Sequence, residues 1–167
     1  AVLFNIQRTG PSTGMPTRTQ QCDLLLCAYA SHGDTKHPML FPANPEDCFH
    51  MTLAAFDLAD ELQTPVFLMS DLDVGMNDWM CKDLEWDTNY KPKRGKVLSA
   101  DQLEKIEKFY RYYDSDGDGI PYRSLPGVHP KGSFFTRGSG HNKYGGYTED
   151  GHEYQEVVDR LKVKWNT

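Results

Sequence analysis

The stretch that decides the fold is VLFNIQRTGPSTGMPT, Val2 to Thr17. Val2 to Ile6 is a short apolar run of the kind that forms a strand buried on both faces of a parallel sheet. It passes through Gln7 straight into a cation, Arg8, and then into a loop holding Gly10, Pro11, Gly14 and Pro16. Such a segment cannot continue a strand or begin a helix, so it reads as a strand-to-helix connection. Thr17-Arg18-Thr19-Gln20 then has capping-box spacing, with Thr17 as N-cap and Gln20 at N3. Leu24, Leu25, Ala28 and Tyr29 follow at helical intervals, which predicts a helix of roughly 14 residues, an ordinary length in a globular protein.

The same grammar repeats downstream. Met39 to Phe41 is a brief strand candidate, and Asn44-Pro45-Glu46-Asp47 combines an N-cap, a proline suited to N1 and two acids that complement the helix dipole. Phe49, Leu53, Phe56 and Ala59 to Leu62 give the second helix an apolar face, and Pro65 to Met69 reads as the next buried strand, closing at Ser70-Asp71. Strand, helix, strand, helix, strand with short connections predicts an α/β fold, a partial doubly wound parallel sheet with helices on its faces. In such sheets ligands gather beyond the carboxyl ends of the strands, where Arg8 and Asp71 both stand.

A compositional break after Asp71 divides the chain into 1–71, the sheet portion, and 72–167, a loop-rich extension. The second part holds 11 of the 14 glycines and 14 of the 20 Phe, Trp and Tyr residues. That aromatic content argues against disorder. Asp78 to Gly95 lacks periodicity and reads as an extended connection. Ser99-Ala100-Asp101-Gln102 repeats the capping-box spacing before a stripe of Leu103, Ile106, Tyr110 and Tyr113, and a last helix is expected from about His152 to Val163. The extension is therefore expected to carry two helices.

The totals exclude several classes. A net charge of -6 offers no electrostatic footprint for nucleic acid. No apolar run approaches the roughly 20 residues of a membrane span, so no membrane partner is expected. Cys22, Cys27, Cys48 and Cys81 form neither a C-x-x-C pair nor an iron-sulfur spacing. Free thiols and a cytoplasmic location are the expectation. The chain opens with Ala1 and enters a strand at once, so a further part is expected upstream or on another chain.

Among the chemistry-bearing residues, Arg8 stands first. Its planar, permanently charged fork matches a carboxylate, so beyond a strand end it can hold an acidic substrate in register; a structural salt bridge is the competing role. Gly10, Pro11, Ser12, Thr13 and Gly14 offer tight turns and exposed N–H groups ahead of a helix, an anion cradle or simply a turn. Ser12 and Thr13 have no recognisable base. Asp114, Asp116 and Asp118 occupy positions 1, 3 and 5 of a calcium-loop pattern with Gly119 at 6, but position 12 is Leu125 and Pro121 breaks the register. They read as an acidic turn ending the preceding helix, with a weak calcium or magnesium site as the alternative. His32, before Gly33, reads as a helix C-cap, and Asp71 serves either function or a turn hydrogen bond. The six histidines show no zinc spacing.

VLFNIQRTGPSTGMPTRTQQCDLL, with HGD, PANPEDCF and TPVFLMSD, resembles the alpha subunit of the 2-oxoacid:ferredoxin oxidoreductases, particularly the 2-oxoglutarate type; DGDGIPYRSLPG and GSGHNKYGGYTEDGHEY resemble the segment after the pyrimidine-binding domain of that subunit. The resemblance implies that residues 1–71 are the later half of a thiamine-diphosphate pyrimidine-binding domain and 72–167 an extension toward the next domain. It implies oxidative decarboxylation of a 2-oxoacid to an acyl-coenzyme A, with electrons passed to ferredoxin and Arg8 on the substrate carboxylate. Thiamine diphosphate and magnesium would be held mostly by a beta subunit, and an iron-sulfur cluster would sit on another subunit or domain. None is expected to bind tightly to this chain alone. The family's Tyr-Pro-Ile-Thr-Pro segment and its pyrimidine-activating glutamate belong upstream of Ala1, so the isolated chain is expected to be inactive, with an open sheet edge available for self-association. The competing reading is a non-catalytic, calcium-dependent interaction module built on the acidic loop.

Overall fold

The computed structural model describes residues 1–10, 15, 18–31, 35–135 and 138–167. They form two compact units, Ala1–Arg94 and Gly95–Thr167. The units part after Arg94 rather than at the compositional break after Asp71. Residues 72–94 stay with the first unit, where Lys93 N donates to Asp57 Oδ1 at 2.9 Å and Arg94 pairs with Asp60 at 2.8 Å.

The first unit holds a parallel three-stranded sheet: β1 (Val2–Gln7), β2 (Met39–Leu40) and β3 (Val66–Asp71), in spatial order β1-β3-β2. β3 is central, and Val66 to Ser70 are all buried, which is what its unbroken apolar run requires. Alternation along β3 divides the core. Phe67 and Met69 pack with Cys27 of α1 (Leu24–Ala28), whereas Val66 packs with Ala55 and Ala59 of α2 (Pro45–Glu61). Successive side chains of a strand point to opposite faces, so α1 and α2 cover the two faces of the sheet. The expected α/β architecture with helices on both faces is present.

α2 begins as its sequence dictates. Asn44 Oδ1 accepts from Asp47 N at 2.9 Å, Pro45 occupies the first turn, and Glu46 and Asp47 face the positive end of the dipole. α1 departs from expectation. It has five residues instead of roughly 14, residues 18–23 are not helical, and the N-cap is Asp23, whose side chain makes no capping bond; Thr17 lies outside the described residues. The reason is packing: Leu25 and Leu26 are 75% and 68% exposed and only Cys27 is buried, so no apolar face stabilises further turns. β1 also differs. Among the described residues it is an edge strand, with Leu3, Phe4 and Ile6 exposed by 43, 53 and 47%, not one buried on both faces.

A short helix absent from the sequence reading, α3 (Leu72–Met76), follows β3 directly. In the second unit the Ser99 capping box forms in full: Gln102 N donates to Ser99 Oγ at 3.3 Å and Ser99 N to Gln102 Oε1 at 2.8 Å. The helix it opens, α4 (Ala100–Lys105), stops at Ile106, which takes an extended conformation. Tyr110 and Tyr113 therefore do not continue the stripe of Leu103; instead Tyr110 meets Tyr144 edge-on and Tyr113 stacks on it, at 5.0 and 5.6 Å between ring centroids. A 3-10 turn at Pro130–Gly132 and α5 (Gly151–Asn166) complete the unit. No helix among the described residues is long and apolar enough to cross a membrane.

Candidate functional site

β1 and β3 run in parallel and end level, with Gln7 opposite Asp71. Both chains leave the sheet at this edge, where α/β sheets place ligands. Arg8 is the first residue beyond β1 and is half-buried. Its Nε is buried, and neither a hydrogen-bond partner for it nor an ion pair to an acid is present among the described residues. Its backbone carbonyl accepts a long contact from Cys22 Sγ at 3.5 Å. Arg8 is thus a half-buried positive charge whose planar fork is not engaged by a carboxylate among the described residues.

The flanking positions are quieter. Gly10 is exposed, and a Cβ there would meet nothing within 4 Å, so close packing does not demand glycine at that point. Pro11, Ser12, Thr13 and Gly14, the rest of the proposed anion cradle, and His32, the proposed C-cap, lie outside the described residues. Asp71 is the N-cap of α3, its Oδ1 accepting from Val74 N at 2.9 Å. Of the two roles the sequence allowed it, the hydrogen bond is present.

Gln7 was not singled out in the sequence. It is the most buried residue of β1, 2% exposed, and its Nε2 donates to Met69 O and Ser70 O, both at 3.4 Å. The signal was an amide closing an otherwise apolar strand immediately before the arginine.

In the second unit Asp114, Asp116 and Asp118 do converge, with one oxygen from each within 4.8 Å of the others. They do not end a helix, since α4 closes at Lys105. Asp114 accepts from Gly117 N at 2.9 Å and Gly119 N at 2.8 Å, and Asp118 from Ile120 N at 2.8 Å. Lys96 Nζ lies 2.7 Å from both Asp116 Oδ1 and Asp118 Oδ1, and its hydrogen bond holds the Asp116 carboxyl below the usual aspartate value. Twenty residues separate Lys96 from Asp116, so no local motif announced it. Behind this loop, Arg160 Nη1 donates to Gly119 O at 2.7 Å. Burial, with Arg160 and Arg111 nearby, pushes the Lys164 ammonium down to about 8.

Comparison with known proteins gives this geometry a lineage. The family described as pyruvate flavodoxin/ferredoxin oxidoreductase, thiamine diphosphate-binding, matches residues 1–98, and the chain belongs to that family. Among the relatives, the 2-oxoglutarate synthase subunit KorA of Archaeoglobus fulgidus is 45% identical over 74 residues, 44% of this chain and 21% of that subunit. The 2-oxoacid:ferredoxin oxidoreductase 2 subunit alpha of Aeropyrum pernix is 35% identical over 145 residues, 86% of this chain and 21% of the relative. The chain is also similar to the solved 2-oxoglutarate:ferredoxin oxidoreductase from Magnetococcus marinus with 2-oxoglutarate, coenzyme A and succinyl-CoA bound. That likeness has a TM-score of 0.75 at 25% identity and covers 99% of this chain and 27% of that one. The chain therefore spans about a fifth of the length of the curated relatives it matches.

Proposed function

We propose that this chain supplies the substrate-anchoring edge of the alpha subunit of a 2-oxoacid:ferredoxin oxidoreductase, with 2-oxoglutarate as the 2-oxoacid. The observation that carries the reading is Arg8, a half-buried guanidinium at the carboxyl end of β1 with no acid partner among the described residues. Decarboxylation needs the substrate carboxylate held where carbon dioxide can depart, and a bidentate donor fixes it there. The family match and the 2-oxoglutarate enzymes among the relatives support the same substrate class.

When bound, thiamine diphosphate supplies the nucleophilic carbon and the electron sink for such a reaction. The described residues fit the substrate side of that chemistry better than the diphosphate side. Asp71, the acid at the sheet's carboxyl edge, already caps α3, and the Asp114 to Asp118 cluster is occupied by Lys96 and backbone N–H groups. We therefore assign the diphosphate and its magnesium to a beta subunit, and the iron-sulfur cluster that feeds ferredoxin to another subunit or domain. Coenzyme A would be the acyl acceptor. The role of Arg8 is to bind and orient the carboxylate.

The test is turnover. The complete alpha subunit with its beta partner is expected to reduce ferredoxin in a reaction that needs both 2-oxoglutarate and coenzyme A. The 167-residue chain alone is expected to show none. Decarboxylation by the isolated chain, or indifference of the assembly to 2-oxoglutarate, would contradict the proposal.

A further inference from the structure

Gln7 is hard to justify on stability. It sits in a strand otherwise made of Val2, Leu3, Phe4, Asn5 and Ile6 and is 2% exposed. Its two hydrogen bonds are long, 3.4 Å each, at the weak end for an amide donor. Its Oε1 is buried with no partner among the described residues. A buried, unsatisfied acceptor costs about 1–3 kcal/mol, and replacing such a group by an apolar one of the same shape is often neutral or stabilising. A leucine there would serve the fold at least as well.

The placement of the amide gives it a different use. One NH2 group bonds two consecutive carbonyls of β3, Met69 and Ser70, and so ties the last residue of β1 to the two residues that precede the end of β3. β3 is the strand that β1 pairs with among the described residues, and the Gln7 amide adds a side-chain tie to that pairing at its carboxyl end. The next residue is Arg8, whose Nε is also buried with no partner among the described residues. Two adjacent residues at the mouth of the sheet each keep a buried polar atom without a partner among the described residues, and such pairs call for an explanation beyond packing.

We propose that Gln7 is a positioning residue for Arg8, clamping the carboxyl end of β1 to β3 so that the guanidinium leaves the sheet at a fixed point and angle. The inference rests on the reading of Arg8 as the carboxylate anchor. Loss of the clamp would leave the charge present but misplaced, and small misplacements of a bound reactant are costly: about 1 Å can cost on the order of a hundredfold.

A double-mutant cycle in the full-length assembled enzyme tests this. Gln7→Leu is expected to lower kcat/KM for 2-oxoglutarate about tenfold in the Arg8 enzyme but less than about twofold in an Arg8→Ala background, with the unfolding temperature unchanged or raised, because the two residues act through one contact. Gln7→Asn keeps the amide on a shorter stem and serves as the second variant if the leucine enzyme fails to assemble; it is expected to show the same coupling at smaller size. Equal losses in both backgrounds, or none, would overturn the clamp while leaving Arg8 intact as the anchor. An unchanged kcat/KM in Arg8→Ala alone would instead remove the anchor, and the clamp with it.

Discussion

Lys96 does for Asp116 and Asp118 what a divalent ion does in a calcium loop. Its ammonium is 2.7 Å from an oxygen of each, while both oxygens of Asp114 accept from backbone N–H groups. A calcium ion would have to displace a resident cation and several hydrogen bonds, and would find none of the bidentate acid that completes such loops. Calorimetric titration with calcium is expected to show no binding tighter than millimolar. Tighter binding that Asp116→Ala abolishes would revive the metal site. The sequence could place these carboxylates in a row but not the lysine among them, since side chains 20 positions apart meet only through the fold.

At the scale of elements, local chemistry was legible and extent was not. The caps at Asn44 and Ser99 form as their spacing predicts, because a cap is an interaction between residues three apart. How far a helix runs depends on what lies opposite it. α2 has β3 to cover and runs 17 residues; α1 buries Cys27 and little else and stops after five. α4 likewise ends once Leu103 is buried. The acidic loop shows the converse, a constraint visible only in three dimensions. Gly119 has φ of +80°, and a Cβ there would collide with the α5 backbone, at Lys164 N, with Lys164 Cα at 2.6 Å and Arg160 O at 2.7 Å. Gly127 has nearly the same φ, +82°, with nothing within 4 Å. Gly127→Ala is expected to cost only the left-handed strain, about 1–2 kcal/mol. Gly119→Ala adds the displacement of a helix, about 1–3 kcal/mol more. Urea unfolding of the two variants, with hydrogen exchange across α5, checks the difference; equal costs would mean that α5 does not rest on this glycine.

For the whole molecule, the parallel sheet could be read from the alternation of strand and helix signals over residues 1–71, and the position of Arg8 at its carboxyl edge from the end of the first apolar run, because both are local patterns. The exposure of β1 could not, since an edge is defined by the strands beside it. Nor could Gln7 be recognised as a clamp before its β3 partners were known. The chain covers about a fifth of the length of the curated relatives it matches, so the proposed activity is tested in the complete assembly. The most direct measurement of the account is kcat/KM for 2-oxoglutarate in that complete assembly with Arg8→Ala and Arg8→Lys. Both are expected to fall, the alanine variant by well over about tenfold and the lysine variant less, with thiamine diphosphate content and subunit association unchanged, because a charge-assisted bidentate contact has been removed or reduced to a point charge. Unaltered values in both variants would show that Arg8 does not hold the substrate.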